Sequence, residues 1–167
     1  MRNGAVLDTG FLITLVDAGR DAHKHAKAYY RHFLEQGIPL YLPTVVASEF
    51  CSKQPITDLP LHNFNILPFN LLESIRCADL NVAYYRKKLN EEGQRDSVKD
   101  DFKIIAQAEE QDAFFLLTED KNSMSLYCEQ LRNDQKISFK VIELSQGFDI
   151  SFVNHDGQTE MPYSPEE

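Results

Sequence analysis

Short apolar runs alternate with longer stretches of helical periodicity along most of the chain, and this alternation constrains the fold more than any other feature. Apolar runs without a period of two are typical of strands that are buried on both faces of a parallel sheet. The stretches between them repeat apolar residues every three or four positions, as amphipathic helices do. The pattern therefore predicts an α/β protein of three layers, with helices on both faces of a central parallel sheet of four to five strands.

The predicted strands are short, and the predicted helices fill the spaces between them. We expect strands at residues 5–7, 40–42, 65–67, 114–118 and 138–142. We expect helices at about residues 11–16, 22–36, 44–51 and 70–89, with a further helix that begins at a capping box over 97–100. Glycine and proline are frequent after Leu144, which predicts an extended tail with one strand-like piece at 150–153. The chain thus divides into a domain at 1–145 and an acidic C-terminal tail at 146–167.

Composition narrows the class of protein. With 167 residues, of which 43% are hydrophobic and 26% charged, the chain is long enough for one domain with its own core. The three cysteines are far apart and form no CxxC pair, which argues against a disulfide framework or a zinc site and favours a reducing cytoplasm. The apolar start of the chain is interrupted by Asp8 and is too short to cross a bilayer, so no membrane association is expected.

The formal net charge of -9 is unfavourable for binding nucleic acid, because phosphate groups are bound by lysine and arginine. The charge is unevenly distributed, however. Five of the acids lie in the tail at 146–167, which contains neither lysine nor arginine. The remaining surface is therefore closer to neutral than the total suggests.

Acidic residues border several of the apolar runs. Asp8 and Asp120 each follow a predicted strand, and the carboxyl ends of parallel strands share one edge of a sheet. Carboxylate oxygens at such an edge are the ligands that Mg²⁺ and Mn²⁺ prefer. Each residue taken singly also fits a structural role, since aspartate commonly caps a helix or stabilises a turn.

Helical geometry separates the two acids of the Asp100-Asp101 pair. At about 100° per residue, Asp101 lies near the centre of the apolar face of its helix and Asp100 lies on the opposite side. Asp100 is therefore expected to close the capping box with Ser97, whereas Asp101 points inward and needs a partner or a proton. The same test leaves Glu49 undecided, because its short helix has no single apolar face.

Four segments in order resemble the motifs of the PIN domain, and most closely those of the small toxin-type ribonucleases called VapC-like. The resemblance covers about residues 3–144. Gly10 departs from it, because many relatives have asparagine or serine after the Asp-Thr pair. The matching segments are Val6-Leu7-Asp8-Thr9-Gly10-Phe11-Leu12-Ile13, Ala47-Ser48-Glu49, Asp101-Phe102-Lys103-Ile104-Ile105-Ala106 and Leu117-Thr118-Glu119-Asp120.

This resemblance implies a divalent-metal-dependent endoribonuclease that uses Mg²⁺ or Mn²⁺ and leaves a 5′-phosphate. It implies an RNA substrate, an antitoxin protein as partner if the chain is a toxin, and a homodimer for which the exposed side of 70–89 is a possible contact. It implies supporting hydroxyl groups at Thr9 and Thr118. The implied catalytic and metal-binding residues are Asp8, Glu49, Asp101 and Asp120.

Positive and aromatic side chains that RNA binding would need occur together at Tyr84-Tyr85-Arg86-Lys87-Lys88. Arg86, Lys87 and Lys88 are therefore candidate RNA-binding residues. A solvated helix face with core tyrosines explains the same stretch better.

Two other functions remain open at the level of sequence. A PIN-like module that binds RNA or protein without cutting would explain Gly10 and the acidic surface. A phosphoryl-accepting receiver-like domain also gathers acids at strand ends, but it expects two adjacent acids after the first strand, and Leu7-Asp8-Thr9 lacks that pair.

Overall fold

Five parallel strands form the central sheet of the computed structural model, which describes residues 3–89 and 95–153. Their order across the sheet is β3-β2-β1-β4-β5. The strands are β1 (Ala5–Leu7), β2 (Leu40–Pro43), β3 (Asn65–Leu67), β4 (Phe115–Thr118) and β5 (Lys140–Glu143). This architecture confirms the predicted α/β class and the predicted parallel sheet.

Strand β1 lies at the centre of the sheet because its residues are apolar on both faces. Val6 pairs with Tyr41 on one side and with Leu116 on the other. All three residues of β1 are fully buried. Parallel strands that are covered on both faces take such continuous apolar runs.

Seven helices are described, and the crossover rule distributes them over the two faces of the sheet. The connections from β1 to β3 proceed in one direction across the sheet, and those from β3 to β5 proceed in the other. Since crossovers between parallel strands are right-handed, the two sets of helices cover opposite faces. The helices are α1 (Thr9–Val16), α2 (His23–Glu35), α3 (Thr44–Cys51), α4 (Leu71–Asp79), α5 (Val82–Lys88), α6 (Arg95–Glu110) and α7 (Met124–Asn133).

The single long helix predicted over 70–89 is wrong, because the chain breaks it into α4 and α5. Asn81 adopts a left-handed conformation with φ of 55°, and its side chain accepts a hydrogen bond from the Tyr84 N–H. Asparagine tolerates this conformation better than most residues and competes locally with the helical hydrogen bonds. Within the predicted apolar stripe, Leu71 and Ile75 are exposed, by 73% and 51%, whereas Tyr85 is buried.

The predicted capping box at 97–100 is also wrong. Helix α6 begins at Arg95, so Ser97 lies within the helix and does not cap it. Asp100 instead accepts a hydrogen bond from Lys103 Nζ at 2.8 Å, one turn further along. The inward orientation predicted for its neighbour Asp101 does not depend on this cap.

The C-terminal segment folds back onto α2. The Tyr29 hydroxyl donates to the Gly147 carbonyl oxygen at 3.1 Å and accepts from the Asp149 N–H at 3.2 Å. The strand-like piece expected at 150–153 is a 3₁₀ helix, Ile150–Phe152. Residues 154–167 lie outside the described part of the chain, and the division into 1–145 and 146–167 stays a prediction. Among the residues that the structure describes, no helix combines the length and the apolar character needed to cross a membrane.

Candidate functional site

Asp8 lies at the carboxyl end of β1, where both of its carboxylate oxygens are hydrogen-bonded. Its Oδ1 accepts the Thr9 N–H at 2.7 Å, which caps α1. Its Oδ2 accepts the hydroxyl of Thr118 from the neighbouring strand β4, also at 2.7 Å. Asp8 therefore performs the structural role of a helix cap and is at the same time fixed across two strands by Thr118.

Burial makes the charge of Asp8 costly. It raises the pKa of this carboxyl group from 3.8 to about 6, although the hydrogen bonds from Thr118 and from the Thr9 N–H favour the charged form and oppose the rise. The negative charges of Glu49 and Asp120 raise the pKa further. Glu49 and Asp120 are therefore close enough to Asp8 for their charges to affect its pKa.

Asp101 projects from the second turn of α6 toward the same edge of the sheet. Its Oδ2 accepts the hydroxyl of Ser123 at 2.6 Å. Burial raises the pKa of Asp101 to about 7; the Ser123 hydrogen bond opposes this rise, and the charges of the three other predicted acids add to it. The charges of all three other predicted acids, Asp8, Glu49 and Asp120, therefore act on Asp101.

Glu49, which helical geometry left undecided, lies on α3 beside the start of α1. Its Oε2 accepts a short hydrogen bond from the Thr9 hydroxyl. Because Thr9 follows Asp8 directly, this bond draws Glu49 to the edge where Asp8 lies. The contact joins residues 40 positions apart, and no local pattern could have revealed it.

Asp120 is exposed and organises the turn that leads from β4 to α7. Its Oδ1 accepts the N–H groups of Asn122 and Ser123, each at 2.9 Å. Its own N–H donates to Thr118 Oγ1 at 3.0 Å. Asp120 therefore has the turn role considered for it, and it lies beside the hydroxyl that fixes Asp8.

The donor set at this edge fits a hard divalent cation in its chemistry, since the acids and hydroxyls supply only oxygen. In residues 3–89 and 95–153, however, no group of three or more histidine, cysteine, aspartate or glutamate side chains is arranged so that it could hold a metal ion. Instead, Asp8, Glu49 and Asp101 each accept from a neighbouring hydroxyl. The four acids share one electrostatic environment without forming a closed ligand set.

Two features of this edge were not predicted from sequence. One is Ser123, whose position three residues after Asp120 in a turn was the only available signal. The other is a network in which Glu119 Oε2 accepts from Thr14 Oγ1 and from Arg20 Nη1, both at 2.6 Å.

A side chain at Gly10 would place its Cβ 3.4 Å from the Glu119 Cβ. Gly10, the departure from the PIN pattern, therefore lies where Glu119 occupies the adjacent space.

The basic residues proposed to bind RNA lie on α5, away from these acids. Lys88 Nζ is 3.6 Å from Asp134 Oδ2 and also lies over the rings of Tyr84 and Tyr85. Asp134 follows the last residue of α7. Ser123 immediately precedes the other end of α7. The ten residues of α7 span about 15 Å, so Lys88, at one end of this helix, lies about that far from the acidic edge at the other end.

Comparison with known proteins identifies the fold. No family model matches the sequence, and no curated protein matches it. Among solved structures, the chain is similar to a chain of the VapBC2 complex from Rickettsia felis, which was crystallised with a DNA fragment from its promoter. The TM-score is 0.54 and the identity 15%, and the match covers 83% of this chain and 97% of that chain. It is also similar to a chain from DNA-bound VapBC of Salmonella typhimurium, with a TM-score of 0.53 and 13% identity over 86% and 99%. Because the identity is so low, these structural similarities establish the fold alone. They confirm the fold that the resemblance implied.

Proposed function

We propose that this chain, which has the fold of a VapC-like PIN domain, is a divalent-metal-dependent endoribonuclease that hydrolyses RNA phosphodiester bonds. The observation that supports this best is the pair of carboxyl groups at one edge of the sheet, the buried Asp8 and the half-buried Asp101, whose pKa values are raised to about 6 and about 7. Groups with such perturbed pKa values concentrate at functional sites. A purely structural use of both residues would leave this electrostatic cost without compensation.

Mg²⁺ or Mn²⁺ is the proposed cofactor. The residues that would hold it are Asp8, Glu49, Asp101 and Asp120. When bound, such an ion lowers the pKa of a coordinated water and stabilises negative charge on phosphate oxygens. The same positive charge would offset the repulsion that the neighbouring acids exert on Asp8 and Asp101 and that adds to the rise of their pKa values.

The chain's own hydroxyl groups act as supports. Thr118 fixes Oδ2 of Asp8, and Ser123 fixes Oδ2 of Asp101. The Thr9 hydroxyl orients Glu49. Each hydrogen bond leaves lone pairs on the carboxylate for a cation, and such outer partners typically matter about 10–100-fold for metal affinity or activity.

The test is cleavage of a structured RNA by the full chain with Mg²⁺ or Mn²⁺. We expect the wild type to cut, Asp101→Asn to reduce the rate to background, and Thr118→Val to lower it about 10–100-fold. Glu35→Gln is a control, because Glu35 is an exposed acid on α2, away from both the acidic edge and α4. The proposal fails if the wild type cuts no RNA under any of these conditions, or if Asp101→Asn cuts as fast as the control.

A second candidate is a PIN-like module that binds RNA or protein with little or no cleavage. The observation in its favour is that, in the described residues, the acids form no ready group for a metal. Titration calorimetry with Mn²⁺ separates the two functions. The nuclease should bind Mn²⁺ in the micromolar to millimolar range and lose it in Asp101→Asn, whereas the module should show no saturable heat.

We also propose that the nuclease is the toxin of a toxin–antitoxin pair that acts in the cytoplasm, with an antitoxin protein as partner. The support is the likeness to chains of two VapBC structures. Reading the gene next to this one tests the idea, because the proposal expects a small neighbouring frame whose product co-purifies with this chain. A gene that stands alone and whose product harms no host on expression would count against a toxin.

Two finer parts of the proposal concern surfaces. Arg86, Lys87 and Lys88 remain candidate contacts for RNA outside the immediate site, since Lys87 is exposed and Lys88 keeps a partly exposed amino group. The outer face of α4 is the proposed contact of a homodimer.

A further inference from the structure

A groove of about 420 Å³ runs between α7 and the edge strand β5. We call it the α7–β5 groove. One flank of α7 supplies most of its wall, and β5 supplies an apolar side chain. The lining residues are Ser125, Cys128, Glu129, Arg132, Asn133 and Val141.

The polar side chains of this groove have donors and acceptors that no described residue uses. The Ser125 hydroxyl oxygen is buried and has no hydrogen-bond partner in the described part of the chain. Glu129, Arg132 and Asn133 are exposed, and among the described residues their side chains make neither hydrogen bonds nor ion pairs. The Ser125 oxygen is covered by the surrounding atoms, so the polar side chains that a ligand in the groove can reach are Glu129, Arg132 and Asn133.

The groove begins beside the acidic edge. The Ser125 N–H donates to the Asp120 carbonyl oxygen at 3.1 Å. Cys128, which lines the groove, is buried, and the charges of Asp101 and Asp8 add to the rise of its pKa that burial causes. From Ser125 to Arg132 the helix extends about 10 Å, so the groove leads away from the acids over roughly the length of one nucleotide.

We propose that the α7–β5 groove binds one nucleotide of single-stranded RNA beside the bond that the acidic site would cleave. This inference rests on the proposed function, because it names a subsite for that substrate. The unused polar groups of Glu129, Arg132 and Asn133 in one groove next to the acids carry the inference.

The groups that line the groove match the parts of a nucleotide. Arg132 offers a guanidinium fork for a phosphate group. Asn133 and Glu129 offer an amide and an acceptor for the edge of a base, and Glu129 favours bases that carry an exocyclic amino group. Val141 offers an apolar contact for the base. A volume of about 420 Å³ lies within the range of small-molecule sites.

A docked peptide fits the same groove less well. Peptide grooves are anchored by apolar pockets. Here Val141 is half-buried and Cys128 is fully buried, so little apolar surface is left for an anchor. The chemistry of the groove is that of hydrogen bonding, with one positive charge on Arg132 and one negative charge on Glu129.

The binding test uses the mononucleotides AMP, CMP, GMP and UMP with the full chain, followed by NMR chemical shifts of backbone amides in α7 and β5. We expect the three bases with an amino group to bind at least about fivefold more tightly than UMP, which lacks it. Glu129→Gln should abolish this preference, since an amide both donates and accepts. Arg132→Ala should weaken all four nucleotides about tenfold without changing their order.

Matched controls lie on α2. Glu35→Gln and Arg31→Ala change exposed side chains of the same types there, and both should bind all four nucleotides as the wild type does. The inference is overturned if no nucleotide shifts the amides of α7 and β5, or if Glu129→Gln and Arg132→Ala bind exactly as these controls do. The lining residues to be changed are exposed, so a thermal melt equal to that of wild type verifies folding in each case.

A second measurement separates the subsite from the nuclease proposal. On a long RNA of mixed sequence, Glu129→Gln should redistribute the positions of cleavage, whereas the control Glu35→Gln should leave them as in wild type. Cleavage by the wild type with an unchanged distribution in Glu129→Gln would refute the subsite alone. Nucleotide binding in the groove without any RNA cleavage would refute the nuclease and leave a nucleotide-binding groove.

Discussion

At the scale of single residues, Asp101 carries a charge that the fold makes costly at neutral pH and above. The pKa of Asp101 is raised from 3.8 to about 7, chiefly by burial. The folded state therefore holds this proton at pH values where the unfolded chain has released it. By linkage, its contribution to stability is fully present below about pH 4 and is lost as the pH rises to about 7.

Asp101→Asn should therefore stabilise the metal-free protein at pH 8 and leave it almost unchanged at pH 4. Each unit of pKa shift corresponds to about 1.4 kcal/mol, and partial solvation reduces the effect, so we expect a gain on the order of 2 kcal/mol at pH 8. Urea unfolding in the presence of a chelator, at both pH values, measures the difference.

The control for this pH effect is Glu35→Gln, which changes an exposed acid on α2 and should alter stability by less than about 0.5 kcal/mol at either pH. Equal stability of Asp101→Asn and wild type at pH 8 would show that the buried charge costs nothing. The raised pKa of Asp8, at about 6, acts in the same direction over a lower pH range.

The sequence predicted some of these residues and could not predict others. The inward direction of Asp101 follows from the period of the helix alone. Glu49 and Ser123 become part of the edge only through hydroxyl contacts with residues distant in sequence, to Thr9 and to Asp101. Such contacts depend on how strands and helices pack against one another, and the sequence of one short segment does not determine that packing.

At the scale of elements, the strands were predictable within one or two residues, and the helix boundaries near 80 and 97 were not. Apolar residues keep their three- and four-residue spacing across Asn81, so periodicity alone predicts one helix. The left-handed turn there depends on one side chain that caps α5. No glycine or proline marked the break.

The contact between α2 and the C-terminal segment is a testable element-level feature. Tyr29→Phe removes the hydroxyl that bridges the Gly147 carbonyl oxygen and the Asp149 N–H but keeps the ring against Phe148. Because two backbone groups lose their partner, we expect a loss of about 1–2 kcal/mol in the free energy of unfolding. Hydrogen exchange should show faster exchange at Asp149 and Val153.

Tyr84→Phe is the control for this substitution, because Tyr84 is 52% exposed. It should leave both stability and exchange of the C-terminal segment unchanged. Slow exchange at Asp149 in Tyr29→Phe would mean that other contacts hold the segment to α2.

At the scale of the whole molecule, α4 exposes an apolar face that a monomer would leave in water. None of its nine residues is buried, and Leu71, Leu72 and Ile75 are exposed by 73%, 65% and 51%. Exposed apolar surface of this kind marks interaction sites. This face is the basis of the proposed homodimer.

The doubly substituted Leu72→Glu/Ile75→Glu protein should be monomeric in light scattering at concentrations where the wild type is a dimer, because two charges would be buried without partners. Leu34→Glu, on the exposed side of α2, should remain dimeric. A monomeric wild type, at concentrations of about 100 μM, would contradict the dimer directly.

The order of the strands has a consequence for how the protein is made. Of the five described strands, β1 is synthesised first and occupies the centre of the sheet, and its partner β4 is synthesised fourth. Until then one side of β1 has no neighbouring strand, and Asp8 lacks the Thr118 hydroxyl. Pairing of distant segments is slow and delays folding. A nascent or truncated chain that ends before residue 118 therefore cannot assemble the acidic edge, so the complete edge arises only after β4 and the turn that follows it have been synthesised.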